Sequence, residues 1–88
     1  MSVKYEIRYT RDALRAIRKA PRKVAGNIAA KVEQLADGGK ALANNIKKLQ
    51  GREGYRLRVG DYRVIYTMDN GQLIITVVAV GPRGGIYD

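Results

Sequence analysis

Cysteine and histidine are absent from this 88-residue chain, and acidic residues are scarce: eight, against seventeen lysines and arginines. Without cysteine, disulfides and thiol chemistry are excluded, and a reducing cytoplasm is a compatible setting. Without histidine, the chain lacks the commonest side-chain acid/base group and the commonest metal ligand together. The few carboxylates are scattered singly, so neither a metal site nor a cofactor is expected. No apolar run approaches the ~18 residues that span a bilayer, and no signal peptide precedes the first strand-like run. The expected location is therefore cytoplasmic.

What remains is a basic, ordinary globular composition. Residues 1–88 are expected to form one domain with a single core. The formal net charge of +9 favours polyanionic partners and fast, salt-sensitive association. An acidic protein partner satisfies the same charge, so composition selects a class of partner and not nucleic acid alone.

The most informative stretch is Tyr55-Arg-Leu-Arg-Val-Gly-Asp-Tyr-Arg-Val-Ile-Tyr66. Gly60-Asp61 between two alternating runs reads as a two-residue hairpin turn. It sets Val59 opposite Tyr62, Arg58 opposite Arg63, Leu57 opposite Val64 and Arg56 opposite Ile65. Alternation then sends Tyr55, Leu57, Val59, Tyr62, Val64 and Tyr66 to one face and Arg56, Arg58 and Arg63 to the other. Like charges directly opposite in a hairpin are destabilising. Three arginines on one face therefore suggest an anion site, with a nucleic-acid phosphate as the natural occupant. The alternative is a solvated strand face that happens to be basic.

The rest of the chain reads as an α+β domain. Val3, Tyr5, Ile7 and Tyr9 alternate with charged residues as in a half-buried strand. Thr10 is placed to cap a helix over residues 11–19, with Asp12 in its first turn and Leu14 and Ile17 buried. Pro21 ends that helix and can open the next, which runs to about Asp37 with Val24, Ile28, Val32 and Leu35 on one stripe. Gly38-Gly39 is a stop signal, and the tight connection predicts an antiparallel helical hairpin. In residues 40–54, Leu42, Ile46 and Leu49 can line one face of a helical turn, while Lys47, Lys48 and Arg52 add charge. Asn70-Gly71 predicts a second hairpin, with Tyr66 opposite Ile75 and Val64 opposite Val77. Its second strand, residues 72–80, is apolar almost throughout and reads as central. The predicted order is β-α-α-β-β-β: a helical hairpin packed on a small antiparallel sheet.

Arg63 is expected in the middle strand, between Arg58 and Val78. A guanidinium can hold a phosphate through two parallel hydrogen bonds and stays charged at any cellular pH. It can stabilise charge developing on phosphorus, but it cannot act as a base. Arg83 follows the Gly81-Pro82 break, where it can bend back to the same face, and Tyr87 is next to last. Such groups suit a ribonuclease that needs no metal. The RNA 2′-hydroxyl attacks its own adjacent phosphate when the backbone is held in line and the charge is compensated. A cyclic phosphate results, and DNA, which lacks that hydroxyl, is spared.

The hairpin Gly54–Tyr66, followed by Val80-Gly-Pro-Arg and Ile86-Tyr87, closely resembles the RelE/ParE superfamily of bacterial and archaeal toxins, and the likeness covers nearly the whole chain. In the RelE branch, the resemblance implies an endoribonuclease that enters the ribosomal A site and cuts the translated messenger. A cognate antitoxin, expected to dock through an amphipathic acidic segment, restrains it. Position by position, the resemblance implies that Arg63 stabilises the transition state, that Arg83 assists the leaving group and that Tyr87 orients the nucleotide or transfers a proton. Arg56 and Arg58 fall where the best-known members carry two lysines, and with Lys47 and Lys48 they are the candidate RNA-binding groups. Arg58 cannot serve as a base, which leaves Tyr87, Lys47, Lys48 or ribosomal RNA for that role. The tail also departs from the family pattern, with Pro82 for a basic residue and Gly84-Gly85 for charged ones. Two other readings are a ParE-like toxin that inhibits DNA gyrase through protein contacts and a non-catalytic RNA- or ribosome-binding module.

Overall fold

In a computed structural model of the chain, the residues described are 4–38 and 44–82. The elements run β1 (Glu6–Tyr9), α1 (Arg11–Lys19), α2 (Arg22–Ala36), β2 (Ile46–Lys48), β3 (Tyr55–Val59), β4 (Tyr62–Asp69) and β5 (Ile74–Pro82). The five strands form one sheet in the order β1-β5-β4-β3-β2. β1 runs parallel to β5, and the other neighbours are antiparallel. The sheet is thus mixed and one strand wider than the sequence predicts. The two helices carry the chain from β1 at one edge to β2 at the other.

Local chemistry sets the helix ends. The Thr10 hydroxyl accepts a hydrogen bond from the Ala13 N–H at 3.1 Å, satisfying one of the free donors at the start of α1. Asp12 in the first turn and Arg18 and Lys19 in the last complement the helix dipole. Pro21 is the residue before α2, with φ −53° and ψ 143°, and not its first helical residue. The proline also holds Ala20 extended, at ψ 154°, which ends α1. At the far end of α2, Gly38 takes φ +120° and donates to the Leu35 carbonyl at 3.1 Å.

The helices pack on the sheet face that carries Leu57, Val59, Val64, Tyr66, Ile75, Val77 and Val80. α2 contributes Ile28, Val32 and Leu35, all buried, with Val24 partly buried beside them. α1 presents Ala13, fully buried, with Ala16 and Ile17 at the margin. Leu14, expected inside, is 38% exposed. It lies one helical step, roughly 100°, from Ala13, and the small alanine is the side chain in contact with the sheet. Burial of each large core side chain contributes about 1.5–3 kcal/mol.

Two further expectations are corrected. Ile46–Lys48 is a short edge strand and not a helical turn, paired with β3 through Ile46–Leu57, Lys47–Arg56 and Lys48–Tyr55; Leu42 lies outside the described residues. In the second hairpin, Asp69 pairs with Ile74, so four residues and not two form the loop. The Asp69 carboxylate holds that loop by accepting from the Gly71 and Gln72 N–H groups, each at 3.0 Å. Tyr66 therefore faces Val77. The register then shifts between Ile65 and Tyr66, so that Val64 faces Val80 and Arg63 faces Gly81. Val78 is the extra residue of a β-bulge, and its side chain is exposed.

Candidate nucleic-acid interface

The first hairpin pairs as its turn predicts: Val59–Tyr62, Arg58–Arg63, Leu57–Val64, Arg56–Ile65 and Tyr55–Tyr66. Gly60 has φ +58°, and Asp61 is not in the left-handed region, the pattern of a type II′ turn. Its twist matches that of the strands, so the alternation runs without a slip. Leu57 and Val64 go to the core, and Arg56, Arg58 and Arg63 go to the opposite face.

On that face the three arginines meet Lys47, which β2 aligns with Arg56. Together they line an open cleft of about 580 Å³, to which Asn44, Asn45 and the Gly60–Asp61 turn also contribute. Four cations share it with one carboxylate, that of Asp61. Arg56 and Arg63 are half-buried and Arg58 is exposed. Ile65 belongs to the same face, is only 3% exposed, and stands apart from the main core cluster. On the far side of Arg63 the bulge places Gly81, and with it an empty side-chain position where Val78 was expected.

Such an arrangement can bind a phosphodiester. Arg58 and Arg63 face each other across the hairpin, and an anion between them relieves the repulsion of the pair. A proton acceptor is a separate requirement. Among the described residues, the two tyrosines with shifted acidity, Tyr9 and Tyr66, lie on the core side, and both are shifted away from neutral pH. Burial and then Glu33 raise Tyr9, whereas burial and then Tyr55 push Tyr66 up to about 12. Neither can accept a proton in the cleft.

Of the candidate RNA-binding residues, Lys48 is not brought to the cleft. It pairs with Tyr55, and alternation turns it from the arginine face. It borders a smaller adjoining depression of about 310 Å³ with Gln50 and Arg56. Arg83 and Tyr87 lie outside the described residues. Asn44, Asn45, Asp61 and Tyr62 also line the cleft, although the sequence assigned Asp61 only to the turn and Tyr62 only to the apolar face. Tyr62 and Asp61 were discoverable from their position at a two-residue turn beside Arg63. Asn44-Asn45 offered no such signal.

Comparison with known proteins bears on the family and the fold. Residues 7–87 match the family model described as the ParE toxin of type II toxin–antitoxin systems. A RelE-like toxin protein of Escherichia coli is 27% identical over 81 residues, covering 92% of this chain and 85% of the relative. The archaeal RelE–RelB complex of Pyrococcus horikoshii superposes with a TM-score of 0.78 at 24% identity, over 94% of this chain and 99% of that one. The toxin–antitoxin complex RelBE of Escherichia coli gives 0.73 at 25% identity, over 89% and 95%. The Escherichia coli protein YafQ shares the fold at 0.78 with 13% identity, over 97% and 100%. With the hairpin register, the mixed sheet and the whole-length family match together, the chain belongs to the RelE/ParE superfamily of type II toxins.

Proposed function

We propose that this toxin is a metal-independent endoribonuclease that cuts messenger RNA on the ribosome and so arrests translation in the cytoplasm. The carrying observation is the cleft in which Arg56, Arg58, Arg63 and Lys47 converge on one sheet face. In this reading the 2′-oxygen attacks the adjacent phosphorus, the bond to the 5′-oxygen breaks, and a cyclic phosphate is left. Arg63 and Arg58 compensate the charge that grows on the phosphoryl oxygens. Arg83 assists the departing 5′-oxygen, and Tyr87 orients the nucleotide or passes a proton. Since Arg58 cannot deprotonate the attacking hydroxyl, that task falls to Lys47, to Tyr87 or to ribosomal RNA. Lys47 lines the cleft, and Lys48 does not, which favours Lys47 of the two.

The partner in the resting state is a cognate antitoxin with an amphipathic, acidic segment. The structural relatives from Pyrococcus horikoshii and Escherichia coli are toxins in complex with RelB, which supports this assignment.

Arg63→Ala is expected to lower RNA cutting by about 10²–10³-fold, the usual cost of removing one donor from a charge-stabilising site. Primer extension on transcripts after induction reads this directly, with Tyr87→Phe as the companion variant. Undiminished cutting and growth arrest in both variants would remove the catalytic assignment. The match to the ParE family model favours a second reading, inhibition of DNA gyrase through protein contacts. Loss of supercoiling by purified gyrase in the presence of the toxin, with transcripts intact, would select it.

A further inference from the structure

A second basic surface lies on α1, away from the cleft. Arg11, Arg15 and Arg18 recur at i, i+4 and i+7, and all three are exposed. At 3.6 residues per turn they fall within roughly 60° of arc, over roughly 10 Å of helix axis. The opposite side of the helix is taken by Ala13, Ala16 and Ile17, which pack on the core. Lys19, Arg22 and Lys23, also exposed, continue the charge around the Ala20-Pro21 turn. Between residues 11 and 23 only Asp12 offsets these six cations. Like charges one turn apart weaken a helix. Glu33 of α2 and Asp37 just beyond it engage Lys4 instead, at 3.6 and 4.0 Å.

The placement separates this surface from the cleft. Ala13 and Ile17 join the cluster of Leu57, Val64 and Val77, whereas the cleft arginines alternate with those residues and face the other way. The molecule measures 35 × 30 × 26 Å, so a strand lying in the cleft does not also cover α1. Whatever binds α1 is a separate element.

We infer that the Arg11–Arg15–Arg18 face, extended by Arg22, docks on the phosphate backbone of double-helical RNA without reading its sequence. The surface is a convex cylinder, and residues 11–23 contain no aromatic side chain on which unpaired bases could stack, as single-strand binders require. A protein partner needs a desolvated apolar centre, and the large apolar side chain exposed on α1 is Leu14 alone. Guanidinium groups in a row match phosphate oxygens bidentately. This inference stands apart from the cleavage reading, because it concerns the opposite side of the molecule and requires no chemistry.

The test is a binding titration of the full-length chain against a blunt RNA duplex of about two helical turns, repeated between about 50 and 200 mM salt. The triple variant Arg11→Gln, Arg15→Gln, Arg18→Gln is expected to lose at least about tenfold in affinity, with the salt slope reduced by roughly 2–3. The corresponding triple lysine variant keeps most of the binding, and an unchanged thermal melt of the glutamine variant excludes misfolding as the cause. Arg58→Gln with Arg63→Gln is expected to abolish most RNA cutting while costing clearly less duplex affinity than the helix triple variant, so failure of the two proposals can be told apart. Full duplex affinity in the glutamine triple variant overturns the inference. So does an equal loss in the cleft variant.

Discussion

The two hairpins that share β4 are built differently. β3–β4 closes over Gly60-Asp61, with the positive φ at the glycine, and pairs without interruption to Tyr55–Tyr66. β4–β5 closes over four residues, needs the Asp69 carboxylate to hold its loop, and places Leu73 at φ +57°. It also carries the bulge at Val78. Thr10 reaches that bulge from the adjoining edge: its hydroxyl donates to the Val78 carbonyl at 2.7 Å, and its N–H donates to the Val77 carbonyl at 3.0 Å. The Leu73 carbonyl likewise accepts from the Glu6 N–H at 2.7 Å. One hairpin is aligned by its own turn, the other by contacts with β1 and the start of α1. For the cleft, the first decides that Arg58 faces Arg63, and the second decides that Gly81 lies on the other side.

The difference can be attacked at several points. The largest effect is expected at Gly54, which opens the first hairpin at φ +126°. A Cβ there would stand 3.1 Å from the Tyr66 carbonyl oxygen and 3.2 Å from Leu49 Cδ1. Gly54→Ala combines backbone strain with overpacking and should cost about 3 kcal/mol, read as a lower urea midpoint.

Next comes Tyr66, the residue beside the register shift, whose ring stacks on Tyr55 with centroids 5.4 Å apart. Its hydroxyl is pushed up to about 12 from 10.0 by burial and then by Tyr55. A raised folded-state value means that stability is intact below pH 10 and declines as pH climbs from 10 towards 12. The loss over that window is on the order of 2–3 kcal/mol. Denaturation midpoints measured across it should fall less steeply for Tyr66→Phe than for the natural chain.

The smallest effects separate the two turns. Gly60→Ala keeps a left-handed φ without glycine and should cost about 1–2 kcal/mol. Leu73 already carries that conformation and is 37% exposed, so Leu73→Asn should stabilise by about 0.5–1 kcal/mol. Thermal melting of the two variants should therefore shift in opposite directions.

The limits of sequence reading follow the same division. The Arg58–Arg63 pairing was legible because a two-residue turn and strict alternation leave one register. The Thr10 cap and the span of α1 were legible because the capping bond closes within three residues. The second register was not. Asn70-Gly71 suggests a two-residue turn, but the backbone uses a longer loop and then a bulge whose carbonyl is bonded by Thr10, 68 residues away in sequence. The apolar run of β5 read as a strand covered on both faces. It partly reflects the shift in period, because the inward residues are Ile75 and Val77 before the bulge and Val80 after it. Leu14 and Ala13 exchanged roles because the approach of α1 to the sheet, and not hydrophobicity, selects which of two neighbouring side chains is enclosed.

By itself, then, the amino-acid order determined a basic α+β domain, a paired set of arginines on one strand face, and the resemblance that the family match bears out. These follow from period, turn chemistry and charge, all of which act over a few residues. Only the tertiary structure decided that β2 brings Lys47 and leaves Lys48 aside, that Asn44, Asn45 and Tyr62 border the cleft, and that Gly81 flanks Arg63. Each of those depends on strand neighbours distant in sequence, whose register is settled by hydrogen bonds and packing that no local pattern encodes.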